Sequence, residues 1–183
     1  MTWDIWRGNS LFSRALRESA CEPTEHVLAA RLSEKKLVYY LWRKPIAEFA
    51  LSSGRNPPSN AEGSEGTPPG LHRIAEKFGD GAPPGTVFVG RRSQGHTFRE
   101  RHDAGPEQKC LVTTRILRLA GLQPGINAGP GVDSYARYIY IHGTNRPDAW
   151  TENVSAGCLL LRDPDVIRLH DSVPLGSLVW IEV

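Results

Sequence analysis

Tyr138-Ile139-Tyr140-Ile141-His142-Gly143-Thr144-Asn145 and Ser155-Ala156-Gly157-Cys158-Leu159-Leu160-Leu161, whose cysteine comes sixteen residues after the histidine, decide how this chain reads. The first stretch alternates as a strand and breaks at Gly143. With a period of two, Tyr138, Tyr140 and His142 share one face while Ile139 and Ile141 point into the core. The second stretch is a small-residue turn followed by an apolar run. It places Cys158 at the start of a buried strand, held by rigid structure and facing the loop side. Gly157 lets another backbone or a substrate approach closely. Successive N–H groups in the turn Ser155–Gly157 can point toward a developing oxyanion.

Taken singly, these residues have bland explanations. A free cysteine is ordinarily a small buried hydrophobe, and a lone strand-end histidine is ordinarily a satisfied structural residue. The pairing changes the argument. A thiol needs a neighbouring base to react as a thiolate at neutral pH, and imidazole is its usual partner. His142 and Cys158, at the ends of two pairable strands, are expected to meet.

The rest of the chain excludes several classes. Its 183 residues suit one domain, and 39% hydrophobic with 23% charged residues describes an ordinary globular protein. A formal charge of +2 with no Lys/Arg run argues against nucleic-acid binding and is compatible with an anionic polymer as substrate. Cys21, Cys110 and Cys158 cannot all pair, and none sits in a CxxC unit, which excludes a zinc ribbon or thioredoxin motif. A metal set of His142, Cys158 and His170 lacks a local pair at zinc spacing, so no metal and no cofactor is expected. No apolar run approaches the ~18 residues of a membrane span. The start, Met1 to Pro23, has no continuous apolar core of a secretory signal, and Ser19-Ala20-Cys21 lacks the hydrophobic stretch of a lipoprotein signal.

Ser10 to about Ala20 reads as a short helix with Ser10 as N-cap and Leu11, Ala15 and Leu16 on one side. Short strands follow at His26–Leu32, Lys36–Trp42 and Ile46–Ser52, with Arg43–Pro45 turning the chain between the last two. Residues 54–70, 79–85 and 121–131 are loops of the kind that line or cover sites. Leu111–Leu119 reads as a helix stopped by Gly121. The expected architecture is mainly β with two or three short helices.

Ile141-His142-Gly143-Thr144-Asn145 followed by Ser155-Ala156-Gly157-Cys158 resembles the signature of the L,D-transpeptidase (YkuD-like) family. Thr67-Pro68-Pro69-Gly70 resembles that family's strand entry, and Ser53-Gly54 the small element before it. Asp165-Val166 and Val173-Pro174-Leu175-Gly176-Ser177 resemble its closing helix and the turn into a last strand, Leu178–Val183. The resemblance implies a YkuD-like β-sandwich or barrel over residues 27–183, after a helical extension at 1–26. It implies that Cys158 attacks a peptidoglycan stem peptide and forms a thioester acyl-enzyme. His142 is then the base, oriented by a carbonyl near Gly143 in place of an acidic residue. Tyr140, Thr144, Asn145 and Arg162 are the candidate substrate contacts.

One position departs from the pattern. The family usually has Arg or Asn two residues after the nucleophile, where this chain has Leu160. An extended segment would put Arg162 on the same face, either as a displaced positive charge or as a surface residue. His72, His96, His102 and His170 are not expected to be the base. L,D-Carboxypeptidase and endopeptidase activities share the same acyl-enzyme and stay open as alternatives, as does a non-catalytic wall-binding module. The expected location is periplasmic or secreted, through a removed leader or as a leaderless, exported wall-targeting toxin. The oligomeric state stays open.

Overall fold

The computed structural model describes residues 4–100 and 110–183; His102 lies outside them. Three strands open the sheet: β1 (His26–Arg31), β2 (Lys36–Leu41) and β3 (Lys44–Ala50). Trp42 and Arg43 join the last two with φ of 49° and 64°, the doubly left-handed backbone of a tight hairpin turn. Pro45 belongs to β3 and not to the turn expected for it. It faces Tyr40 where the register shifts, at the outermost strand of the sheet, where a missing N–H is tolerated.

The remaining strands are β4 (Gly70–Phe78), β5 (Thr86–Val89), β6 (Arg92–Thr97), β7 (Val112–Gly121), β8 (Tyr140–Gly143), β9 (Leu159–Leu161) and β10 (Leu178–Glu182). They order as β3-β2-β1-β10-β4-β7-β5-β6, with β8 added to β7 and β9 to β8. The sheet is mixed: β1–β10 and β8–β9 are parallel, and the other pairs are antiparallel.

The helix expected at Leu111–Leu119 is instead β7, which pairs with β4, β5 and β8. Val112, Ile116 and Leu119 do have helical spacing, but Val112-Thr113-Thr114 is β-branched. The strand is buried on both faces, so no alternation marks it in the sequence.

Two helices close the two faces. Helix α1 (Leu11–Glu18) is capped by Ser10, whose hydroxyl accepts the Ser13 N–H at 3.1 Å. It buries Phe12, Ala15 and Leu16 against Val27, Ala29, Tyr40, Leu178 and Trp180, while Leu11 is 60% exposed, contrary to its expected inward place. Helix α2 (Asp163–Ser172) starts with Asp163 and Asp165 at its positive end and presents Val166 and Leu169 to the other face. There they meet Leu28, Leu117, Ile141, Leu159, Leu161 and Val179. Among the described residues, no helix is long and apolar enough to cross a membrane.

Candidate active site

Strands β8 and β9 lie side by side, with Ile141 opposite Leu159, His142 opposite Leu160 and Gly143 opposite Leu161. Ile139, Ile141, Leu159 and Leu161 enter the main core. Alternation sends Tyr140, His142, Cys158 and Leu160 to the opposite side. Cys158 packs there between two small apolar clusters, one holding Tyr140 and the other Leu160. The Tyr140 and His142 rings meet edge to face at 6.4 Å. Tyr138 does not continue this face as expected: its φ is 57°, it precedes the strand, and its side chain is half exposed.

The turn before Cys158 is tied from within. Ser155 Oγ donates to Cys158 O at 2.6 Å and accepts the Gly157 N–H at 3.2 Å. Gly157 has φ +115°, and a Cβ there would stand 3.0 Å from Gly66 O. The loop from residue 54 to 70 therefore covers the turn, bridged to it at Gly54 and Ser155. With the Gly157 N–H committed to Ser155, an oxyanion formed here needs another donor.

His142 is buried, and its Nδ1 lies 2.6 Å from Gly143 O. A carbonyl only accepts, so Nδ1 carries the proton and Nε2 keeps its lone pair. Burial lowers the imidazole to about 4, against the opposing pull of that hydrogen bond. The Cys158 thiol donates to Tyr138 O (3.5 Å), and its sulfur accepts the Tyr140 N–H (3.4 Å). Burial pushes this thiol up to about 12, although the Tyr140 N–H works the other way. Some of its surface still reaches solvent. Both groups are thus neutral at pH 7. No hydrogen bond joins His142 directly to Cys158 among the described residues.

Gly143 fits a cradle no side chain could share. A Cβ there would stand 2.9 Å from Asp163 Oδ1, Thr113 Oγ1 and Thr114 Oγ1, and Thr114 donates to Asp163. Thr144 Oγ1 accepts the Arg146 N–H (3.1 Å), and Asn145 Oδ1 accepts the Leu111 N–H (2.8 Å), so both side chains brace the loop after β8. Their other surfaces line an open cleft of about 450 Å³ with Arg99, Arg146 and Arg162. Arg162 is exposed, its guanidinium 5.2 Å from the Trp150 ring centre. Leu160 is fully buried against Ala149 and Val154 and offers the site no polar atom.

Three other arginines near Cys158 carry no signal in the sequence: residues 91 and 118 lie far from the motif, and Arg137, which directly precedes it, has no pattern that marks its role. Arg137 donates to Ser59 O, Asn60 O, Ser64 Oγ and Gly66 O, which anchors the covering loop. Arg118 pairs with Glu76 at 2.8 Å and lies 3.4 Å from the Tyr135 ring centre. Arg91 donates to Tyr140 Oη at 3.3 Å. The other histidines stand elsewhere. His72 is buried against Ser134 and Gly70, and His96 contacts Gln94 O. His170 groups with Asp80 and Asp171, whose donor atoms lie within 4.8 Å of one another, a set that could share a cation but includes neither His142 nor Cys158.

The family model described as the L,D-transpeptidase catalytic domain (YkuD) matches residues 25–181. YqjB of Bacillus subtilis (strain 168), named as a candidate L,D-transpeptidase, is 27% identical over 113 residues, 61% of this chain and 58% of its own. Among solved structures, an L,D-transpeptidase from Mycobacterium smegmatis superposes with a TM-score of 0.52 at 16% identity, covering 87% of this chain and 59% of that one. The L,D-transpeptidase of Xylanimonas cellulosilytica gives 0.54 at 16% identity, covering 87% and 61%. This chain therefore spans under two thirds of each of these proteins.

Proposed function

The chain belongs to the L,D-transpeptidase catalytic-domain family, and on that premise we propose that it is a cysteine acyltransferase acting on peptidoglycan stem peptides. The observation that carries this reading is the shared face of His142 and Cys158 across β8–β9, with His142 Nδ1 held by Gly143 O. Cys158 Sγ attacks the peptide carbonyl as its proton passes to His142 Nε2. Because both groups start neutral, transfer accompanies attack and no preformed thiolate is required. The oxyanion is met by backbone N–H groups of the turn other than those of Ser155 and Gly157, which are bound to Ser53 O and Ser155 Oγ. As the tetrahedral adduct collapses, His142 returns the proton to the departing amine, leaving a thioester on Cys158. An acceptor amine or water then attacks the thioester, giving a cross-link or a trimmed peptide.

The test is product analysis by mass spectrometry, with a purified stem tetrapeptide and with or without an acceptor amine. Release of the terminal D-amino acid and a mass adduct on Cys158 are expected, and both should vanish in Cys158→Ala while surviving Cys21→Ala with Cys110→Ala. Turnover that persists in Cys158→Ala defeats the mechanism. The proposal also places the protein's action outside the cytoplasm, where its substrate lies. Expression directed to the periplasm should alter cross-links or lyse cells, and cytoplasmic expression should be harmless; equal toxicity from both would contradict it.

A further inference from the structure

We propose that Arg91, on the turn between β5 and β6, binds a carboxylate of the donor peptide that acylates Cys158. The inference rests on the transferase reading above and names the group through which its donor is recognised. A stem peptide brings anionic carboxylates next to the scissile carbonyl, and desolvating one without a partner costs several kcal/mol. Leu160, where the family usually has a polar side chain, cannot supply that partner. It is the next residue on the Cys158 face and is sealed among Ala149, Val154 and Trp150.

Of the three arginines that surround the nucleophile's face, two are already committed. Arg137 spends its guanidinium on four protein oxygens. Arg118 holds Glu76 and Tyr135 O, both at 2.8 Å. Arg91 donates one hydrogen bond, to Tyr140 Oη, and pairs with no carboxylate among the described residues. Its guanidinium lies 5.3 Å from the Tyr138 ring centre and 6.0 Å from that of Phe78. These ring contacts consume none of its N–H groups, which stay available to bind a carboxylate.

Two residues link this cation to the sulfur. Tyr140 gives its N–H to Sγ and its hydroxyl to Arg91. Tyr138 takes the thiol hydrogen on its carbonyl and lies under Arg91 with its half-exposed ring. The partly exposed guanidinium thus stands one tyrosine side chain away from the attacking atom. A carboxylate on the leaving residue, or on the side chain of the acylating residue, is the anion that falls within that reach.

The experiment follows acylation of Cys158 by intact-mass spectrometry with three tetrapeptides: unmodified, C-terminally amidated, and amidated on the side-chain carboxylate of the acylating residue. Arg91→Gln should slow acylation by the unmodified peptide about 10- to 100-fold, the range for losing a charge-assisted hydrogen bond, and Arg91→Lys should recover part of it. The amidated peptide that lacks the recognised carboxylate should react slowly with the unsubstituted protein and be indifferent to Arg91→Gln, which tells the two carboxylates apart. Iodoacetamide labelling of Cys158 at an unchanged rate checks that the nucleophile is intact. An unaltered rate in Arg91→Gln, equal slowing of all three peptides, or a loss found only in Arg162→Gln overturns the assignment while leaving the transferase function standing. Failure of every peptide to acylate the unsubstituted protein overturns both.

Discussion

His142 faces Leu160, and not Cys158, across the parallel β8–β9 pair. Leu160 fills the position directly beside the imidazole, and Cys158 lies two residues before Leu160 on the same face. The thiol is held by backbone groups of Tyr138 and Tyr140, and burial keeps imidazole and thiol both neutral.

The protonation state is open to direct measurement. With the thiol raised to about 12, alkylation of Cys158 by iodoacetamide should rise about tenfold per pH unit from pH 7 to 9 with no plateau. A Cys21→Ser, Cys110→Ser background isolates the signal. A plateau already reached by pH 7 would mean a thiolate–imidazolium pair and would refute the neutral ground state.

Acid should destabilise the fold through His72 and His142. Burial lowers both to about 4, against an unfolded value near 6.5. Between those pH values the unfolded chain takes up protons that the folded chain refuses, so stability is complete above about pH 6.5 and falls as pH drops toward 4. Each histidine accounts for about 3 kcal/mol at most. Urea denaturation at pH 7 and pH 5 should show the loss, and His72→Gln should flatten the pH dependence even while lowering stability at pH 7. An unchanged pH dependence would contradict the assignment to His72.

Leu160→Ala is expected to cost about 2–5 kcal/mol, because it opens a cavity among Ala149, Val154 and Trp150. Leu160→Arg, which restores the family's usual charge, should lower the melting temperature further, since it buries a cation with no acceptor nearby. It should not speed acylation. A stable and faster Leu160→Arg protein would show that the apolar cluster opens readily toward the site.

Gly143→Ala should impair the proposed base, His142, without touching Cys158. The added methyl meets Thr113, Thr114 and Asp163 oxygens at 2.9 Å, so β8 must shift and carry the Gly143 carbonyl away from His142. Acylation should fall by at least an order of magnitude, the scale of general-base contributions, while iodoacetamide labelling of Cys158 persists. Retention of full acylation would mean that the carbonyl does not set the imidazole's orientation.

Much of this was legible from residues alone. The alternation of Ile139 and Ile141 against Tyr140 and His142, the turn Ser155–Gly157 and the run Leu159–Leu161 are local patterns, and local sterics decide them. The hairpin of β2 and β3 was equally clear, apart from the place of Pro45. Other features depend on partners distant in sequence. Strand β7 looked helical because both its faces are buried, Leu117 and Leu119 in the main core with Val166 and Leu169 and Ile116 against Phe88 and Tyr140, which erases the period. Tertiary folding alone brings Arg91, Arg118 and Arg137 around the Cys158 face, closes the loop over Gly157, and seals Leu160 from solvent. Sequence by itself determined which residues could do chemistry, since residue type and short-range spacing carry that information. Which cation remains free to meet a substrate was decided by the tertiary structure, because a guanidinium's availability depends on the acceptors that folding places around it.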